Sequence, residues 1–163
     1  MIYTAANKIL TDPHHILKTV NRLRFKGKKI VFTNGCFDIL HKGHVEYLEA
    51  AKNLGDFLWV GINTDDSISR LKGPGRPLVP LEGRIRVLAA LESVDWIIPF
   101  SQDTPAELID LIVPDVLVKG DDYTPDTIVG ASTVIANGGQ VITIPLTPGF
   151  STTQLVNKIK GII

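Results

Sequence analysis

Cys36 is the only cysteine among 163 residues. No internal disulfide can form, and a reducing cytoplasm is the simplest setting for such a chain. No Cys/His spacing suits zinc either. An excess of one charge is also missing, since 17 Lys and Arg stand against 17 Asp and Glu. That balance leaves no field to hold a nucleic acid or an anionic bilayer. No apolar run reaches the roughly 18 residues of a spanning helix, and the N-terminus lacks a signal-peptide pattern. Internal repeats and low-complexity linkers are absent too. The length then fits one domain over residues 1–163, with an N-terminal helix at about 13–25 and a core at about 28–163.

What is present is a regular alternation. Asp12-Pro13 reads as N-cap and first residue of a helix through about Phe25, with Ile16, Leu17, Val20 and Leu23 on one face. The dozen residues before it read as loosely attached. Short, near-continuous apolar runs at 29–32, 57–62, 96–98, 115–119 and 140–145 read as buried strands. Helical patterns follow His41, then cover 67–71, 81–93, a stretch from Thr104-Pro105 ending by Pro114, 125–137 and 151–160. This order predicts an α/β fold: a Rossmann-like, open, doubly wound sheet of about five parallel strands with helices on both faces. In such sheets ligands bind beyond the carboxyl ends of the strands. The segments just past the predicted strands, Asn34–His44, Asn63–Asp66, Lys119-Gly120 and Ser151–Thr153, should therefore converge.

One junction carries chemistry. Thr33-Asn34-Gly35-Cys36-Phe37-Asp38-Ile39-Leu40-His41-Lys42-Gly43-His44 joins the first strand to a helix N-terminus. Open N–H groups and the positive end of the helix dipole favour a phosphate there. His41 and His44, three apart, fall on one face, and Gly43 between them lets a phosphate oxygen approach the backbone. Cys36 reads as a small residue packed under the loop rather than a nucleophile. His14 and His15 lie on an amphipathic helix without a supporting motif and read as surface residues. Lys72 and Arg76 lie in a Gly/Pro-rich loop, as expected of a lid that brings cations onto phosphates. The carboxylate pairs Asp65-Asp66 and Asp121-Asp122 diverge and form no metal cage, so no protein metal ligand is expected.

Gly35-x-Phe37-Asp38-x-x-His41-x-Gly43-His44 resembles the His-x-Gly-His signature of the cytidylyltransferase-like nucleotidyltransferases. Within them the chain is most similar to the heptose 1-phosphate adenylyltransferases. Leu71–Pro77, Val94-Asp95-Trp96, Pro114–Gly120 and Gly149-x-Ser151-Thr152-Thr153 carry that likeness. It implies transfer of AMP from ATP to D-glycero-β-D-manno-heptose 1-phosphate, with Mg²⁺, giving ADP-heptose and pyrophosphate. It also implies a homodimer, an expectation shared with the apolar N-terminal helix, and a separate heptose kinase upstream. One departure points elsewhere: Gly120-Asp121-Asp122 is similar to the glycerol 3-phosphate cytidylyltransferases, where the heptose enzymes usually have a second glycine. A cytidylyltransferase acting on glycerol 3-phosphate or a similar alcohol phosphate is thus the alternative. A non-catalytic nucleotide-binding module is a third reading.

The resemblance assigns catalysis to His41, His44, Lys72 and Arg84, with His44 nearest the reacting phosphoryl group. It gives the nucleotide to Thr33, Asn34, Gly35, Cys36, Phe37, Lys42, Gly43, Arg76, Lys119 and Gly120, and to Ser151, Thr152 and Thr153 at the last helix N-terminus. The acceptor is expected at Asp38 and Asn63. As an anion near phosphates, Asp38 would be unfavourable unless it caps backbone N–H groups or helps hold Mg²⁺.

Overall fold

A computed structural model describes residues 5–124 and 127–161. Among them five strands form one all-parallel sheet: β1 (Ile30–Gly35), β2 (Phe57–Asn63), β3 (Trp96–Phe100), β4 (Val116–Gly120) and β5 (Gln140–Ile144). Their order is β3-β2-β1-β4-β5. The connecting helices are α1 (Pro13–Phe25), α2 (Lys42–Lys52), α3 (Asp65–Lys72), α4 (Leu81–Ala89), α5 (Ala106–Ile112), α6 (Ala131–Ala136) and α7 (Thr152–Ile159). The expected Rossmann-like α/β fold is what forms. No described helix is long and apolar enough to cross a membrane.

The strands read as continuous apolar runs because each feeds two cores. Ile30, Phe32, Trp59, Ile98 and Leu117 face α1, α5 and α6. Val31, Leu58, Val60, Ile97, Val116 and Val118 face α2 and α4. Successive residues point to opposite faces, and both faces are covered. Three aspartates pin the strand starts. Asp56 Oδ2 accepts from Lys29 N at 2.8 Å, Asp95 Oδ2 from Leu58 N at 2.6 Å and Asp115 Oδ2 from Ile30 N at 2.7 Å. Val94-Asp95 and Pro114-Asp115 thus act on the sheet, at the amino ends of β1 and β2.

Several boundaries differ from expectation. The described part of the N-terminal segment is docked: Leu10 is buried, its N–H donates to Ile97 O at 2.9 Å, and Ile9 bridges to Ile97. The helix expected over 81–93 stops at Ala89, where tight turns at Ala90 and Leu91 take over and Lys8 Nζ donates to Leu91 O at 2.8 Å. Of the helix expected over 125–137, only Ala131–Ala136 is helical, because Gly130 precedes it with φ +84°; Pro125 and Asp126 lie outside the described residues. β3 runs through Pro99, which a strand at the sheet's margin tolerates. Of the apolar face expected on α1, Ile16, Val20 and Leu23 pack inside this molecule, while Leu17 is exposed.

Strand order reverses between β1 and β4. A crevice of about 340 Å³ opens there, beyond their carboxyl ends.

Candidate active site

The β1–α2 turn forms one wall. Phe37 adopts φ +46°, a region that costs a bulky side chain energy. Its ring is buried under the turn: a Cβ on Gly35 would sit 3.1 Å from it, and His44 lies 5.3 Å away, centroid to centroid. His41 is the residue before α2 rather than a member of its first turn, and its side chain makes no capping bond. Freed from the helix, its imidazole stacks on His44 at 3.8 Å and 22°. The Nδ1 atoms of both are buried without a hydrogen-bond partner. Gly43 makes the fit possible, since a Cβ there would come within 3.2 Å of the His41 ring and 3.3 Å of Phe150 Cβ.

Burial lowers the pKa of both imidazoles. For His44, burial, then the neighbouring His41 and Lys72, bring it to about 4 against an opposing contribution from the Ile39 backbone. His44 is therefore neutral at physiological pH, with one N–H to donate and a cationic form waiting on an anion. Burial pushes the Cys36 thiol up, and the nearby Lys72 and Arg84 charges only partly oppose this. A protonated thiol is a spectator.

The facing wall comes from β4 and β5. Lys119 is buried, and its Nζ reaches across the reversal point to Asn34 Oδ1 at 2.5 Å and Asn34 O at 3.4 Å. Burial lowers its pKa to about 8, with Asp122 opposing. The same Nζ lies 5.2 Å from the Tyr123 ring. Past β5, Leu146, Thr147 and Phe150 close the crevice before α7 begins. Ser151 is the α7 N-cap, its Oγ accepting from Gln154 N at 3.1 Å, and Ser151, Thr152 and Thr153 all line the crevice. Capping and lining thus coincide.

The third side is the loop between α3 and α4. Lys72 faces the crevice. Asp38 lines it as well, but its oxygens are taken by Arg76 Nη1 (2.7 Å), Leu78 N (2.8 Å) and Val79 N (2.9 Å). Burial alone would raise the Asp38 carboxyl; these donors outweigh it and hold the pKa below its ordinary value.

The fold brings together Asn34, Gly35, Cys36, Phe37, Asp38, His41, Gly43 and His44 with Lys72, Lys119, Gly120 and the Ser151–Thr153 hydroxyls. Five other residues singled out from the sequence stand off the wall. Thr33 is buried behind Tyr47, its Oγ1 2.8 Å from the Tyr47 hydroxyl. Lys42 pairs with Glu46 at 3.2 Å. Asn63 is buried, donating to Ser67 Oγ at 3.0 Å. Arg76 holds Asp38. Arg84 is buried and donates to Val79 O, Cys36 O and Asp65 Oδ1 at 3.0, 2.7 and 2.6 Å, so its fork holds the loop.

Conversely, Tyr47, Asp122, Tyr123, Leu146, Thr147 and Phe150 line the crevice without having been singled out. Tyr47 lies one helical turn beyond His44, and the others directly follow β4 or β5, so their position past strand ends was the available signal. Among the described residues no cluster of three or more His, Cys, Asp or Glu could hold a metal ion.

Residues 32–158 match the family model described as cytidylyltransferase-like. The bifunctional protein HldE of Nitrosococcus oceani is 51% identical over 156 residues, which are 96% of this chain and 33% of that protein. HldE of Vibrio atlanticus is 53% identical over 146 residues, 90% of this chain and 31% of the relative. The chain thus spans about a third of the length of the curated relatives it matches. Among solved structures, a lipopolysaccharide core biosynthesis protein from Thermoplasma volcanium is similar with a TM-score of 0.59 and 28% identity, over 74% of this chain and 98% of that one. With the paired imidazoles of the β1–α2 turn set in the crevice between β1 and β4, these likenesses make the chain a member of the cytidylyltransferase-like family of nucleotidyltransferases.

Proposed function

We propose that the chain transfers AMP from ATP to D-glycero-β-D-manno-heptose 1-phosphate, releasing pyrophosphate and forming ADP-heptose, a step towards the inner core of lipopolysaccharide. The observation that carries a nucleotidyl transfer is the stacked His41–His44 pair in a crevice also faced by Lys72 and Lys119. A sugar 1-phosphate is largely a dianion at neutral pH, since a phosphate monoester's second pKa is about 6. One of its oxygens attacks the α-phosphorus of ATP as the bond to the bridging oxygen breaks and pyrophosphate leaves. No general base or covalent enzyme intermediate is needed. The protein contributes in-line placement and charge stabilisation.

In this reading the two imidazoles donate to the triphosphate, with His44 nearest the α-phosphoryl group. Lys72 and the α7 N-terminus with its hydroxyls receive the phosphates that leave. Mg²⁺ enters with ATP. Asp38 is already committed to Arg76 and two N–H groups, so phosphate oxygens and water would supply most of the ion's ligands. A kinase acting on the sugar would supply the acceptor, in the cytoplasm where ATP is available.

The alternative, cytidylyl transfer to a polyol phosphate, rested on Asp121. That side chain is exposed and accepts from Leu146 N at 3.1 Å, while it is Asp122 that lines the crevice. Its position outside the crevice favours the heptose reading. Pyrophosphate release should occur with ATP and heptose 1-phosphate, and not with CTP and glycerol 3-phosphate. The reverse pattern would replace this assignment.

A further inference from the structure

Asp38 is a puzzle in a phosphate site, because a bare carboxylate there would repel the ligand. The residue is 4% exposed, and three donors from one segment, Arg76, Leu78 and Val79, converge on it. That segment is the return limb of the α3–α4 loop, some 40 residues on in sequence. Elsewhere, Ser69 Oγ donates to Arg76 O at 2.6 Å and Arg84 Nε to Val79 O at 3.0 Å. The outgoing limb is different. Gly73 and Gly75 take φ +88° and +84°, with nothing within 4 Å of where a Cβ would be. Lys72, facing the crevice, stands at the root of that open limb.

We propose that Asp38 is a positioning residue: rather than binding the acceptor, it latches the return limb through Arg76, Leu78 and Val79, and so fixes where Lys72 stands in the crevice that it shares with His41 and His44. The charge that would repel phosphate is neutralised in making the latch. Arg84 serves the same end from the opposite side, tying Val79 to the Cys36 carbonyl and to Asp65 on α3. The loop is therefore anchored on one limb and open on the other, instead of swinging as a whole.

The role assigned to Lys72 rests on the proposed transferase reaction, but the latch can be read without any substrate. In Asp38→Asn, hydrogen exchange at the Leu78 and Val79 amides should quicken while exchange in the sheet stays as in the wild type. Unchanged exchange at both amides overturns the latch. In turnover, displacing a phosphate-site group by about 1 Å costs on the order of 100-fold. Asp38→Asn should thus lower kcat by about 10- to 100-fold, with little change in the KM for the acceptor. The same substitution made on Lys72→Ala should cost little more, because both act through one group.

A rise in acceptor KM with kcat intact would make Asp38 an acceptor ligand and overturn the proposal, as would an undiminished loss on the Lys72→Ala background. Arg76→Lys keeps the charge but not the fork, and it should reproduce the exchange effect in a milder form; normal exchange in that variant would also overturn the latch. If the wild type does not turn over heptose 1-phosphate, the function reading falls while the exchange result stands. The kinetic cycle is then run with whichever acceptor supports pyrophosphate release.

Discussion

His44 is held in its neutral form by its surroundings, and this links the site to stability. Its pKa is about 4 in the folded chain against an ordinary 6.5, with burial the leading cause. Between those values the unfolded chain binds more protons, so stability falls as pH drops from about 6.5 towards 4. The urea midpoint of the wild type should therefore fall more between about pH 7 and pH 4.5 than that of His44→Asn, which lacks the titrating group. Equal slopes would mean that His44 protonates as easily folded as unfolded. At this scale the sequence was informative where a motif fixed both residue type and spacing, as for His41, Gly43 and His44. It was silent on what holds Arg84, expected among the catalytic groups. The three acceptors that occupy its guanidinium lie 5, 19 and 48 positions away, and nothing local announces them.

At the scale of elements, α2 shows a residue chosen against helix propensity. Gly43 sits in its first turn, where alanine would normally be favoured by up to about 1 kcal/mol. The room it leaves is taken by the His41 ring and Phe150 Cβ. Gly43→Ala should thus leave the melting temperature unchanged or raised while turnover drops by about tenfold or more, because the His41 imidazole must shift by a few tenths of an ångström or more. Calorimetry beside a pyrophosphate-release assay separates the two effects, and parallel losses would assign the glycine to folding alone. Strand and helix types were legible because periodicity and flanking Gly, Pro and Asp agree with the tertiary structure. Ends were less so. α4 stops four residues early because its exit is set by Lys8 and by turn bonds at Ala90 and Leu91, partners that its own sequence does not carry.

For the whole molecule, one sheet separates two cores that, among the described residues, share no side chains. Ile109 is fully buried on one side and Leu88 nearly so on the other. Each truncation to alanine should cost about 2–5 kcal/mol. Because the sites lie on opposite faces, the double variant should show their sum within about 0.5 kcal/mol, in a single unfolding transition. Two resolved transitions in the urea melt would mean that the faces unfold as separate units. Fold class was readable at this scale from alternation alone, and so was the rule that strand ends converge. Strand order was not, and with it went the identity of the walls. Only the reversal between β1 and β4 sets Asn34 against Lys119, 85 positions apart.

That one contact has a consequence for the chain as it is made. The crevice draws on residues from Asn34 to Thr153, so no partial chain from a ribosome contains it until Thr153 has emerged. A ligand held there can recognise only a chain synthesised past that point. At 100 times its Kd it would deepen the native well by about 2.7 kcal/mol, stabilising the assembled crevice and lending nothing to intermediates in which its walls are still apart.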